Sequence, residues 1–246
     1  MVDLNCDMGE SWYEETVGRD TAIMPLITSC NLACGVHGGD PGTMQRSVEL
    51  ALLHKINIGA HPSLPGQQNF GREPIDMPEQ ELNELIYSQV DRLQAEVKGQ
   101  GGELTHLKAH GALYHLAASQ PKEAMVVVAA AIYFGIPKIF GPPESALGRL
   151  AERAGLTFVA EGFVDRVYEN GRQLRSRSLA GGVIQNPAKA LAQARQMAEH
   201  GWVIDYYGTS HPIQVETLCL HGDNPAALEI AEAIHGALEV RRSPNG

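Results

Sequence analysis

Several things are missing from this 246-residue chain, and each absence removes a class of function. No run of about eighteen consecutive apolar residues occurs, the length a bilayer-spanning helix requires, so no membrane partner is expected. The N-terminus opens directly into an acidic strand without a charged n-region and apolar h-region, so no secretory leader is expected and the compartment reads as cytoplasmic. No basic block exists: 19 Lys and Arg against 29 Asp and Glu give a net charge of -10, spread along the chain. Nucleic acid is therefore not an expected partner, because neutralising phosphates requires clustered positive charge. The phosphate loop GxxxxGK(S/T), the nucleophile elbow GxSxG, the zinc pair HExxH and a GxGxxG turn after a strand are all absent, which removes the common nucleotide and hydrolase signatures. Cysteine is sparse, and Cys6, Cys30, Cys34 and Cys219 all lie inside apolar strand-like runs. Reduced core thiols fit that placement better than disulfides or a thiolate metal site. Repeats, low-complexity tracts and linkers are also lacking, so 1–246 reads as a single α/β domain.

What is present is a recurrence. Five short apolar segments each run into a histidine or carboxylate beside glycine: VDLNCDMGE, NLACGVHGGD, NIGAHP, LTHLKAHG and LCLHGD. A buried strand needs only apolar side chains, so ionisable groups that reappear where the apolar run ends point to one polar site built from many strand ends. Strand-like runs near 2–7, 28–35, 56–61, 104–109, 137–141, 157–162, 182–185 and 217–221 alternate with helical stretches, the pattern of an α/β barrel. Leu82, Leu85, Ile86, Val90, Leu93 and Val97 recur at the spacing of one buried helix face over 78–97, and a second such helix covers 225–239. Asp40-Pro41, Asn186-Pro187 and Asn224-Pro225 each pair a capping residue with a proline suited to the first helical turn. The Gly- and Pro-rich segment 63–78 follows a histidine-bearing strand and reads as a lid; the tail 241–246 reads as frayed.

Candidate chemistry follows from these positions. Asp7 and Glu10 flank Gly9 and could hold a cation, orient water or act as base, or simply cap a turn. His37 lies in a glycine loop that permits close approach of backbone to a ligand, and His61 ends its strand before Pro62. Alternation in HLKAH sets His106, Lys108 and His110 on one face. Lys108 is the most informative residue, because an ammonium inside an apolar strand must be paired or must meet an anion, unless that face is open to water. Tyr114 could donate its hydroxyl or serve as core. Arg72 could clamp a carboxylate or phosphate. Glu161, Asp165, His221 and Asp223 complete the strand-end ring, with an Asp165 salt bridge to Arg166 or Arg177 as the competing role.

These blocks, in order, with NFGR, FVDRVY and RSLAGGVIQNP between them, make the chain similar to the LamB/YcsF family, described as the A component of bacterial 5-oxoprolinase. The resemblance spans roughly Val2 to Leu238. It implies a distorted TIM-like (β/α)7 barrel of the glycoside hydrolase/deacetylase type. It also implies ATP-dependent opening of 5-oxo-L-proline to L-glutamate, in a complex with subunits B and C. In that scheme Asp7, His37, His61, Lys108 and His110 are the catalytic candidates. Glu10, Arg72, Tyr114, Glu161, Asp165, His221 and Asp223 are candidates for binding substrate or phosphate. ATP is the implied cosubstrate, and a divalent metal on Asp7, His37 and His61 stays open. The same fold leaves two alternatives, a metal-dependent deacetylase and a substrate-binding subunit without its own catalysis. The chain departs from the family pattern at Trp12-Tyr13, where Phe-Gly is common, at Ala109 for proline, at His115 for asparagine, and at Gln185-Asn186 for a His-Asp pair.

Overall fold

In the computed structural model, residues 2–13, 15–171 and 173–238 are described; the tail expected to fray lies outside them. The strands are β1 (Asp3–Met8), β2 (Ser29–Ala33), β3 (Asn57–His61), β4 (Leu104–Lys108), β5 (Lys138–Gly141), β6 (Thr157–Phe163), β7 (Tyr168–Asn170), β8 (Gln173–Leu174), β9 (Trp202–Ile204), β10 (Ser210–Pro212) and β11 (Thr217–His221). Seven of them close into a barrel in the order β1-β11-β6-β5-β4-β3-β2, every pair parallel. The helices are α1 (Asp20–Ile23), α2 (Pro41–Leu53), α3 (Glu79–Gly99), α4 (Gly111–Ser119), α5 (Pro121–Tyr133), α6 (Ala146–Arg153), α7 (Pro187–His200) and α8 (Ala227–Ala237). The architecture is a TIM-like (β/α)7 barrel.

Parallel strands covered on both faces read as continuous buried runs, and β2 is buried at every position. The outer face of the strands packs against helices, as the apolar stripe of α3 shows: Leu82, Ile86, Val90, Leu93 and Val97 are buried. Leu85 is only half-buried, and the position on that face belongs instead to Gln89. Its amide accepts from Ser63 N at 3.0 Å and donates to Ser63 O at 2.8 Å, so this helix fixes the start of the loop that follows β3.

Two sequence expectations are corrected. The run 182–185 is not a barrel strand; Val183 makes only an isolated bridge to Arg166. The barrel has no gap for it, because β11 pairs directly with both β6 and β1, and the run is cut short by Gly181-Gly182 and Pro187. Of the three Asx-Pro starts, two cap helices: Asp40 Oδ1 accepts from Gly42 N at 2.9 Å, and Asn186 Oδ1 from Lys189 N at 3.0 Å. Asn224 caps none, since α8 begins at Ala227. Its Oδ1 closes a turn on Ala226 N, while its amide reaches Asp165. The hairpins β7/β8 and β9/β10 have no counterpart in the sequence expectation; each strand has three residues or fewer, too short for alternation to register.

Inside the barrel, β3 and β4 approach closely at one point. A Cβ on Gly59 would lie 2.1 Å from His106 Nε2, so only glycine leaves room for that ring, which stacks on Phe140 at 4.1 Å.

Candidate functional site

Asp7, His61, Lys108 and His221 stand at the carboxyl ends of β1, β3, β4 and β11, and Asp7 and His221 are register partners. Strand alternation points all four inward. His37 and His110 follow β2 and β4 and reach the same end of the barrel.

Lys108 lies at the centre and is 2 % exposed. Its Nζ donates to Asp7 Oδ1 at 2.8 Å and to Cys219 Sγ at 3.0 Å, and pairs with Glu161 Oε1 at 2.8 Å. The solvent-exposed alternative for Lys108 therefore fails, and the buried charge is paired as burial demands. Burial alone would lower the ammonium; Asp7, foremost among its neighbours, outweighs this and holds it well above the usual lysine value. The same pair works on Asp7: burial opposes ionisation, but His61 and Lys108 hold the carboxyl well below the usual range. Asp7 stays a carboxylate.

Beneath this pair lies a polar layer. Asn31 Nδ2 donates to Asn5 Oδ1 and to Asp7 Oδ1 at 2.8 Å each, and His106 Nε2 donates to Asn31 Oδ1 at 2.8 Å. Asn5 and Asn31 are not among the expected site residues. The signal is present in the sequence, since Asn5 sits two residues before Asp7 on the same strand face. Burial, then Lys108, pushes His106 down to about 3, so this ring is a neutral brace.

Two histidine arrangements flank Asp7. On one side, His221 Nδ1 donates to Asp165 Oδ1 at 2.8 Å, and its Nε2 stands 3.9 Å from Asp7 Oδ2. Asp165 also accepts from Asn224 Nδ2 at 3.1 Å. The expected salt-bridge alternative is thus replaced: Asp165 orients His221, while Arg166 donates to the carbonyls of Gly182 and Arg175. On the other side, His61 Nδ1 donates to Lys108 O at 2.8 Å, and His61 Nε2 lies 3.3 Å from Asp7 Oδ2. His110 Nδ1 faces His61 Nε2 at 3.0 Å, and His110 stacks on His37 with ring centroids 3.7 Å apart. Burial and the neighbouring imidazoles hold His37 and His110 well below the usual histidine value.

Glu10 joins this second group, with Oε1 3.5 Å from His37 Nε2. Burial, and next the Asp7 charge, pushes Glu10 well above the usual carboxyl value. The contact depends on Gly38, where a Cβ would lie 2.7 Å from Glu10 O.

A cleft of about 350 Å³ opens above Asp7, Lys108 and His221, within the usual size for a small ligand. Arg72 and Arg177 stand at its rim and both bind Asp223, at 2.5 Å and 3.0 Å. Two guanidiniums against one carboxylate leave the rim net positive, suited to an anionic group. The sequence offers Arg177 only as a partner for Asp165. Tyr114 lines the same cleft, buried; burial, then Glu161, makes its phenol less acidic than usual. The segment 63–78 folds over this end: Phe70 O accepts from His110 Nε2 at 2.9 Å, and Gly71 O from Ala112 N at 3.0 Å.

All twelve expected site residues thus lie at one end of the barrel: ten around the deep cluster and the cleft, and Arg72 with Asp223 at its rim. Among the described residues, no helix is long and apolar enough to cross a membrane.

Comparison with known proteins agrees with this architecture. The chain is 42% identical over 244 residues to the 5-oxoprolinase A component of Methylococcus capsulatus, covering 99% of this chain and 94% of that protein. It is 40% identical over 242 residues to the 5-oxoprolinase A component of Bacillus cereus, covering 97% and 95%. The crystal structure of the lactam utilization protein from Thermus thermophilus superposes with a TM-score of 0.90 at 37% identity, covering 98% of this chain and 99% of that one. The profile of the LamB/YcsF family matches residues 2–243. With a shared barrel and a near-full-length match, the chain belongs to the LamB/YcsF family.

Proposed function

We propose that this cleft opens the lactam of 5-oxo-L-proline to L-glutamate, coupled to hydrolysis of ATP to ADP and phosphate. The chain acts in the cytoplasm as the A component of a complex with subunits B and C. A five-membered lactam is an unstrained amide that closes readily from glutamate, so its opening benefits from coupling to ATP. Transfer of the γ-phosphoryl group to the lactam oxygen makes the ring carbon electrophilic. Water adds there, the ring nitrogen leaves as the amine, and a glutamyl phosphate remains. A second water releases phosphate, so two waters, one ATP and one lactam give glutamate, ADP and phosphate.

The residues divide this work. Arg72 and Arg177 hold the substrate carboxylate or the phosphoryl group at the rim. His221, oriented by Asp165, takes the proton from the attacking water through Nε2. Asp7, kept ionised by Lys108, presents Oδ2 to the same space, and Tyr114 donates its hydroxyl to the lactam or its leaving nitrogen. His37, His61 and His110 form the wall behind Asp7.

One observation carries the reading: Lys108 is buried and triply paired directly below a positive rim, in a chain whose relatives are named as the A component of 5-oxoprolinase. The test is glutamate formation from 5-oxoproline plus ATP, assayed with the chain alone and with subunits B and C. Glutamate and ADP in equal amounts are expected with the partners present. No glutamate in either setting discards the reading, and acetate release from acetylated sugars without ATP would replace it with a deacetylase.

A further inference from the structure

Glu10, His37, His61 and His110 come from the ends of three strands and the start of α4, and all four are buried. One ligand atom from each lies within 4.8 Å of the others. Among the described residues, no hydrogen bond from a neighbouring backbone N–H, hydroxyl or amide reaches the atoms that face one another. His61 Nδ1 is committed to the Lys108 carbonyl at 2.8 Å, and His110 Nε2 to the Phe70 carbonyl at 2.9 Å. A carbonyl oxygen only accepts, so both of those nitrogens carry the hydrogen. In neutral rings the facing atoms, His61 Nε2 and His110 Nδ1, are then two lone pairs 3.0 Å apart.

His37 supplies an independent sign. Its ring is 1 % exposed, yet neither Nδ1 nor Nε2 has a hydrogen-bond partner. A buried imidazole left so is costly unless something else fills its coordination. Its Nε2 points at Glu10 Oε1, 3.5 Å away, and that oxygen is also 3.8 Å from His110 Nδ1. Three imidazole nitrogens and one carboxylate oxygen therefore border a single small volume, and because His37 and His110 lie stacked in near-parallel planes, one of the two rings turns to aim its lone pair at an ion there.

We propose that these four residues bind one divalent transition-metal ion, of the zinc type, through Glu10 Oε1, His37 Nε2, His61 Nε2 and His110 Nδ1. Three imidazoles and one carboxylate match the preference of such ions for nitrogen with one hard oxygen. The two backbone carbonyls act as the outer partners that fix ring tautomer and orientation. Asp7 is not in the set. Its Oδ1 is held by Lys108 and Asn31, and its Oδ2 faces the site from outside, 3.3 Å from His61 Nε2. The site therefore differs from the Asp7, His37 and His61 set considered from the sequence. It does not depend on the lactam reading, because binding is measured without substrate.

The test uses the full chain, stripped with a chelator and titrated with Co²⁺ and with Zn²⁺. One equivalent of Co²⁺ is expected to give visible d–d absorption bands of low-coordinate nitrogen and oxygen ligation, displaced by one equivalent of Zn²⁺. Glu10→Gln, close to isosteric, and His37→Asn, with folding checked by circular dichroism, should each weaken binding at least about tenfold, the size seen even for outer-shell partners. Absence of stoichiometric binding to the wild-type chain overturns the proposal and leaves a shared proton between His61 and His110. Binding that neither variant weakens overturns it as well.

Discussion

Lys108 Nζ and Glu161 Oε1 lie 2.8 Å apart across the barrel interior, with side chains 2% and 0% exposed. The two strands β4 and β6 that carry them do not pair with each other; β5 lies between. This buried bridge spans the barrel, and Asp7 completes it from β1. Lys108→Met should therefore leave two buried carboxylates without their cation and cost about 3–5 kcal/mol, read as a lower urea midpoint. Adding Glu161→Gln should recover part of that loss. If the double variant is no more stable than Lys108→Met, the pairing is not what Lys108 contributes.

Gly38→Ala tests the loop that presents His37. The new Cβ would meet Glu10 O at 2.7 Å, a backbone atom that cannot turn aside. Overpacking of this kind costs about 1–3 kcal/mol. Chemical denaturation should show it, and an unchanged midpoint would mean that the two loops separate freely.

Asp165→Asn bears on the role of His221. Asp165 accepts from both His221 Nδ1 and its backbone N, which selects the tautomer with Nε2 free. An amide at that position can present its NH₂ to the ring and reverse the tautomer. In complex with the partner subunits, kcat should fall by on the order of 10⁴-fold with KM little changed, as for the Asp→Asn change in another His–Asp pair. A changed pH profile of kcat distinguishes this from simple loss of folded protein, which would lower apparent enzyme concentration at every pH alike.

Asp20 imposes a pH dependence on stability. Burial raises its carboxyl from 3.8 to about 6, against the opposing bond from Gly9 N. The folded state then holds the proton more tightly than the unfolded chain. That contribution is fully present below the unfolded value and is lost as pH rises through the folded one, an effect of up to about 3 kcal/mol. Asp20→Asn should accordingly stabilise the chain near pH 7.5 and leave it unchanged near pH 4. Equal urea midpoints for the two proteins near pH 7.5 would show that the carboxylate is solvated.

The four cysteines are free and buried, and burial raises Cys34 to about 12 and raises the other three as well. A disulfide reagent at pH 8 should modify none of them in the native state and all four in denaturant.

Much of the site is legible because its residues lie at strand ends, where alternation and the apolar run together say which side chains face inward. Asp7, His61, Lys108 and His221 are recovered that way. Asn5 and Asn31 escape notice because a neutral amide in an apolar run looks like an interruption rather than a ligand. Asn224 misleads for a related reason: a capping signal is local, and whether its oxygen meets a helix or its amide meets Asp165 depends on what packs beside it.

The sequence by itself determined the alternation of strands and helices, the polarity of the strand ends, and the need for Lys108 to find an anion. Periodicity and burial cost are local physics, readable one segment at a time. Tertiary structure alone decided which run is left out of the barrel, that Asp7 and Glu161 meet at Lys108, and that Arg177 joins Arg72 on Asp223. It also decided that His61 and His110 spend their outer nitrogens on backbone carbonyls, because partner choice follows from which strands become neighbours when the barrel closes.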